Sequence, residues 1–147
     1  MIYKEELRDL FEVGDEYYLA HCISADFKMG KGIAVEFDTR FDMKYKLQKR
    51  HPGYFENFCR LQRTHGCIVE GRVFNLITKQ RYFFKPTYES MRGAIESMKL
   101  IACHNGINKI AMPLIGCGLD KLKWSEVSKI IKEVFADTDI EILVCWR

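Results

Sequence analysis

A chain of 147 residues, 48% hydrophobic and 29% charged, is long enough to bury a sizeable core as one domain over residues 1–147 and too apolar to stay disordered. Its net charge of +3 suits an anionic or phosphate-bearing ligand without demanding a nucleic-acid groove. No apolar run approaches the ~18 residues of a membrane-spanning helix, which excludes a helical membrane protein.

The opening "MIYKEELRDLF" is charged from Lys4 onward and has no apolar leader block, so the expected setting is intracellular, cytoplasmic or nuclear, with no membrane partner. "YYLAHCI" (17–23) reads as a short buried strand after Gly14-Asp15. Gly30 and Gly32 then form a loop that feeds a helix, with Ile33, Ala34, Phe37 and Phe41 at helical spacing. That helical region ends through His51-Pro52-Gly53. The basic, aromatic stretch 44–63 reads as a solvated helical face.

"CIVEGRVFNLITK" predicts two strands turning at Glu70-Gly71. The clearest helix follows, with Thr87 as N-cap, Met91, Ile95, Met98 and Ala102 on one side, and Asn105-Gly106 as the stop. "NKIAMPLI" is a strand, "WSEVSKIIKEVF" a helix with Val127, Ile131, Val134 and Phe135 inward, and "IEILVCW" a last strand. This alternation predicts crossover connections and a three-layer α/β/α domain with a mixed sheet.

The six cysteines, Cys22, Cys59, Cys67, Cys103, Cys117 and Cys145, include no CxxC pair and are expected reduced, mostly as small core residues. Cys59, His65 and Cys67 fall near one another but match no zinc spacing, so no metal is expected.

Two glycine-containing junctions, Ser24 to Ala34 and Leu114 to Asp120, stand where strands hand over to helices, the place where α/β sheets bind ligands. Glycine lets amide N–H groups turn inward as a nest for phosphate oxygens, and the helix dipole adds to it. Two such loops would hold a diphosphate. Simple turns are the bland alternative. "MGKGIA" lacks the Ser or Thr of a phosphate-binding P-loop, neither loop has the third glycine of a dinucleotide fingerprint, and "IGCGL" has its glycines adjacent to Cys117 rather than two residues away, as a nucleophile elbow requires. Taken alone, Lys79 reads as a charge capping a strand and Asp120 as a helix-start carboxylate.

Together, "LAHCISADFKMGKGIA", "NLITKQ", "KPTYES" and "MPLIGCGLDKLKW" resemble the macrodomain family, and more narrowly its terminal ADP-ribose protein glycohydrolase and O-acyl-ADP-ribose deacylase branch. The resemblance implies a six-stranded mixed sheet with ADP-ribose in a cleft at the strand ends and no cofactor. It assigns Asp9 and Leu10 to the adenine, with Trp146 and Arg147 closing over it. His21, Ser24, Met29, Gly30, Gly32, Ile33, Ala34 and Thr78 would line the ribose and diphosphate, and Leu114, Ile115, Gly116, Cys117, Gly118 and Leu119 would wrap the phosphates and distal ribose.

The same resemblance makes Lys79 and Asp120 the catalytic residues. An amine can attack C1″ of the distal ribose as lysines attack other carbonyl carbons, with the carboxylate as general base. A free lysine near pKa ~10.4 is almost fully protonated at neutral pH, so this chemistry needs its ammonium relieved of a proton. The implied function is removal of terminal ADP-ribose from acidic side chains of modified proteins, with deacylation of O-acyl-ADP-ribose, by a monomer. Alternatives are an ADP-ribose reader that binds without turnover, a hydrolase of ADP-ribosylated thymidine in DNA, and a thiol enzyme using Cys117.

Overall fold

The computed structural model describes residues 1–146; Arg147, expected over the adenine, lies outside them. Strand β1 spans Ile2–Leu7, and a 3-10 turn at Leu10–Glu12 is capped by Asp9, whose carboxylate accepts from the Phe11 N–H at 2.9 Å. β2 is Tyr18–Ser24. Helices α1 (Ile33–Phe41), α2 (Met43–Arg50) and α3 (Tyr54–Arg60) follow. β3 (Gly66–Glu70) and β4 (Val73–Lys79) make the expected hairpin, turning through Gly71 at φ +59°. Next come α4 (Tyr88–His104), β5 (Lys109–Met112), α5 (Trp124–Phe135) and β6 (Glu141–Trp146).

The six strands form one sheet in the order β1-β6-β5-β2-β4-β3, parallel throughout except for the antiparallel edge pair β3–β4. Alternation along the strands divides the core in two. Ala20, Phe74, Leu76, Ile110, Met112, Ile142 and Val144 face α4 and α5, whereas Leu19, Ile23, Val73, Ile77, Ala111 and Leu143 face α1, α2 and α3. A three-layer α/β/α sandwich results. The Thr87 capping box, with reciprocal 3.0 Å bonds between Thr87 and Ser90, starts α4 where the sequence places it.

Three elements differ from the sequence reading. β1 is not legible as a strand, because it is an edge element with exposed Ile2 and Leu7 and no alternating burial. The single helical region after Gly32 breaks at Asp42, which sits in the left-handed region at φ +52° and separates α1 from α2. The stretch 44–63 is more than a solvated face: Leu47 and Phe58, with Met43 just before them, are among the largest fully buried side chains.

His21, expected at the ligand, lies instead inside the layer under α1. It is fully buried, its ring stacked on Phe37 at 3.9 Å, and Nε2 is 2.6 Å from Asn75 Oδ1. Asn75 in turn donates to the Ile68 carbonyl at 3.1 Å, so the pair stitches β2 to the β3–β4 hairpin. Burial pushes the His21 imidazole down to about 4. The unfolded chain takes up this proton near pH ~6.5 and the folded chain does not. His21 therefore leaves stability intact above that pH, and stability is lost as pH falls through the window down to about 4. Urea unfolding should show the wild type losing about 2 kcal/mol between pH 7 and 5 through this group, and His21→Gln should flatten that part of the profile. An equally steep loss in His21→Gln would refute the assignment.

Candidate active site

Four parallel strands, β6, β5, β2 and β4, end side by side at one edge of the sheet. The loop leaving β2 runs to α1 on one face, and the loop leaving the adjacent β5 runs to α5 on the other. Neighbouring strands whose connections part in this way open a crevice between them. A cleft of about 1090 Å³ occupies that position.

Its floor and walls follow the strand order. Trp146 stands at the end of β6 with Leu10 beside the same cavity; the two glycine loops follow β5 and β2; Lys79 ends β4. At ~4.8 Å per strand, the span from β6 to β4 is about 14 Å. An elongated ligand laid across these ends meets an aromatic ring first, then the two glycine loops, then an amine.

The first loop holds Phe27, Met29 and Gly32 at positive φ, and Gly32 (φ +63°, ψ −152°) occupies a region open only to glycine. No side chain caps α1, and its start, Gly32 to Ala34, lines the cleft. Asp26 braces this loop. One of its oxygens accepts from the Ser24 hydroxyl at 2.5 Å and the Lys28 N–H at 3.2 Å, and the other from the Tyr82 N–H at 3.0 Å. In the second loop Gly116 sits at φ +73°, where a Cβ would lie 2.5 Å from the Met91 methyl. The Leu122 N–H closes the turn onto the Gly116 carbonyl at 2.8 Å.

Lys79 and Asp120, 41 residues apart, meet with Nζ 2.7 Å from Oδ1; their side chains are 13% and 15% exposed. A register shift places Lys79. Ile23 pairs with Ile77 and Ser24 with Lys79, leaving Thr78 as an extra residue in β4. Such bulges re-aim the side chain that follows. Thr78 itself is buried with its hydroxyl unpartnered, and it does not line the cleft.

Of the residues singled out in the sequence, Leu10, Ser24, Met29, Gly30, Gly32, Ile33 and Ala34 line the cavity, as do Lys79, the whole run from Leu114 to Asp120, and Trp146. His21 and Thr78 are buried by the strand alternation and the bulge and do not line the cavity. The Asp9 side chain caps the 3-10 turn, and its neighbour Leu10 is the residue that lines the cleft.

Cys117 lines the cavity, but burial pushes its thiol up to about 11 and it leans on the Ile115 carbonyl at 3.4 Å. Cys22, also at the cleft, is raised further by burial. Neither is poised as a thiolate. Among the described residues, no three His, Cys, Asp or Glu side chains converge to hold a metal. The sequence reading missed Tyr82, Phe83 and Lys85 on the rim, the last donating to the Leu119 carbonyl at 2.8 Å. An apolar triplet before a helix gives no signal of exposure.

Comparison with known proteins agrees with this geometry. The Macro domain family model matches residues 20–131. The chain is 43% identical over 141 residues to the ADP-ribose glycohydrolase OARD1 of Bos taurus, covering 92% of this chain and 86% of that protein. Among solved structures, the macrodomain of Thermus aquaticus DarG superposes with a TM-score of 0.76 at 22% identity, covering 98% of this chain and 97% of that one. Thermosipho africanus DarTG, solved in complex with ADP-ribose, gives 0.70 at 17% identity over 98% of this chain and 42% of that one. With its two glycine loops on one crevice and its six-stranded mixed sheet, the chain belongs to the macrodomain family.

Proposed function

We propose that this chain is an ADP-ribosyl hydrolase, a single macrodomain over 1–147 that releases terminal ADP-ribose from acidic side chains of modified proteins and deacylates O-acyl-ADP-ribose. The observation that carries this reading is the shielded Lys79–Asp120 pair at 2.7 Å in a cleft shaped for an elongated diphosphate. The likeness to OARD1 supports it at 43% identity.

The chemistry follows from that contact. Asp120 takes a proton from the Lys79 ammonium, and the freed amine attacks C1″ of the distal ribose. The C1″–oxygen bond to the acceptor breaks, and the glutamate or aspartate departs carrying the proton that Asp120 had taken, which leaves Asp120 ionised again. Ring opening turns the C1″–nitrogen adduct into a Schiff base. Water adds to C1″ with Asp120 as base, the C1″–nitrogen bond breaks, and ADP-ribose leaves with Lys79 restored. The glycine loops hold the diphosphate so that C1″ stays against Nζ, an orientation effect worth several kcal/mol.

A reader would need no such pair. Lys79→Ala should stop ADP-ribose release from a glutamate-ADP-ribosylated protein, followed by mass spectrometry, while ADP-ribose affinity stays within about threefold. Asp120→Ala should lower kcat at least 100-fold, in the range of a lost general base. Cys117→Ser should remain active. If the wild type frees no ADP-ribose from that protein or from ADP-ribosylated DNA, the reader stands; loss on Cys117→Ser with an active Lys79→Ala would move the chemistry to the thiol.

The glycines provide a second test. A Cβ at Gly118 would meet nothing within 4 Å, and one at Gly30 only the Lys28 carbonyl at 3.9 Å, so the fold does not require glycine at either place. Ligand backbone contact does. Gly118→Ala should keep the wild-type melting temperature and weaken ADP-ribose binding at least tenfold by calorimetry. Gly116→Ala should destabilise by about 1 kcal/mol or more, chiefly through strain at positive φ.

A further inference from the structure

We propose that the exposed aromatic turn Tyr82-Phe83-Phe84 docks the acceptor polypeptide. It would grip an apolar side chain of an acidic, extended segment within two to four residues of the modified carboxylate. The proposal rests on the hydrolase reading above and identifies where the other half of the substrate lies.

The three residues are 54%, 62% and 42% exposed, an uncommon cost for adjacent large apolar groups. They are nonetheless held in order. The Phe84 N–H donates to the Arg81 carbonyl at 3.0 Å, the Tyr82 N–H is bound by Asp26, and the Arg81 guanidinium lies 4.9 Å from the centre of the Phe55 ring. A surface fixed from both sides is preorganised for contact.

Position and shape select the occupant. Tyr82 and Phe83 belong to the cleft wall and follow Lys79 by three and four residues, so the Phe83 Cα lies no more than about 14 Å from the Lys79 Cα. The scissile bond must sit at Lys79. ADP-ribose fills the cleft on one side of that bond, and the acceptor departs on the side this turn occupies. A chain at ~3.5 Å per residue covers that distance in two to four residues.

The rings meet edge to face, with centroids 5.2 and 5.0 Å apart and planes at 84° and 90°. Perpendicular rings form corners that seat one aliphatic or aromatic side chain. A row of nucleobases would need ring faces presented in one direction. Exposed Lys28, Lys31 and Lys121 surround the same mouth, while the nearby carboxylates of Asp26 and Asp120 are already engaged, which favours an acidic segment.

The test compares affinities by calorimetry in a Lys79→Ala background, which keeps the ester intact. The probes are free ADP-ribose, an acidic peptide ADP-ribosylated on glutamate with phenylalanine three residues away, and an ADP-ribosylated single-stranded oligonucleotide. The peptide should bind at least fivefold more tightly than free ADP-ribose, and Phe83→Ser and Phe84→Ser should each erase most of that ratio. No peptide advantage, an advantage untouched by both variants, or an advantage shown only by the oligonucleotide would overturn the proposal. Release of no ADP-ribose from the same peptide by the wild type would strike the hydrolase reading, while the affinity comparison would still decide the docking.

Discussion

The arrangement rests on one topological constraint: β2 and β5 are hydrogen-bonded neighbours whose outgoing loops turn to opposite faces of the sheet. A parallel sheet cannot cover the edge between two such loops, so the crevice is a by-product of chain direction rather than of any special residue. The glycine loops then line the crevice from both of its sides. The order β6-β5-β2-β4 places aromatic, backbone and amine groups along one line. Removing the β2–β5 adjacency would scatter those groups even with every side chain retained.

The Lys79–Asp120 pair depends on that scaffold and on one local irregularity. Bringing an ammonium and a carboxylate out of water costs several kcal/mol each, offset only when the geometry is good. The bulge at Thr78 supplies the geometry by turning the last residue of β4 toward the loop that follows β5. Its own cost is visible as a buried threonine hydroxyl without a partner, on the order of 1–3 kcal/mol. Such local cost beside a functional group is where physical consistency is expected to give way.

Much of this was legible in the chain and some was not, for identifiable reasons. The α4 and α5 periodicities, the Thr87 cap and the two glycine junctions are local patterns, and local patterns survive without knowledge of neighbours. β1 was invisible because its pairing is to β6, some 140 residues away, and its burial does not alternate. The break at Asp42 was hidden because aspartate tolerates the left-handed region without demanding it. The Lys79–Asp120 contact joins residues 41 apart, and only the resemblance to a family suggested it. That resemblance also assigned His21 and Thr78 to the ligand, whereas both are buried and outside the cavity lining, since it carries no record of which face a residue takes on either side of a bulge.

The pairing of β1 with β6 also sets what can be attached to this molecule. The two strands run in the same direction, so Met1, whose ammonium donates to the Thr138 carbonyl, and Trp146 lie at opposite poles of the sheet. A fluorescent label or affinity handle joined ahead of Met1 would project from the pole remote from the cavity. Trp146 itself lines the cavity, so bulk carried at that end of β6 would shade it. Immobilisation through the amino end is therefore the orientation that leaves the crevice open to large substrates.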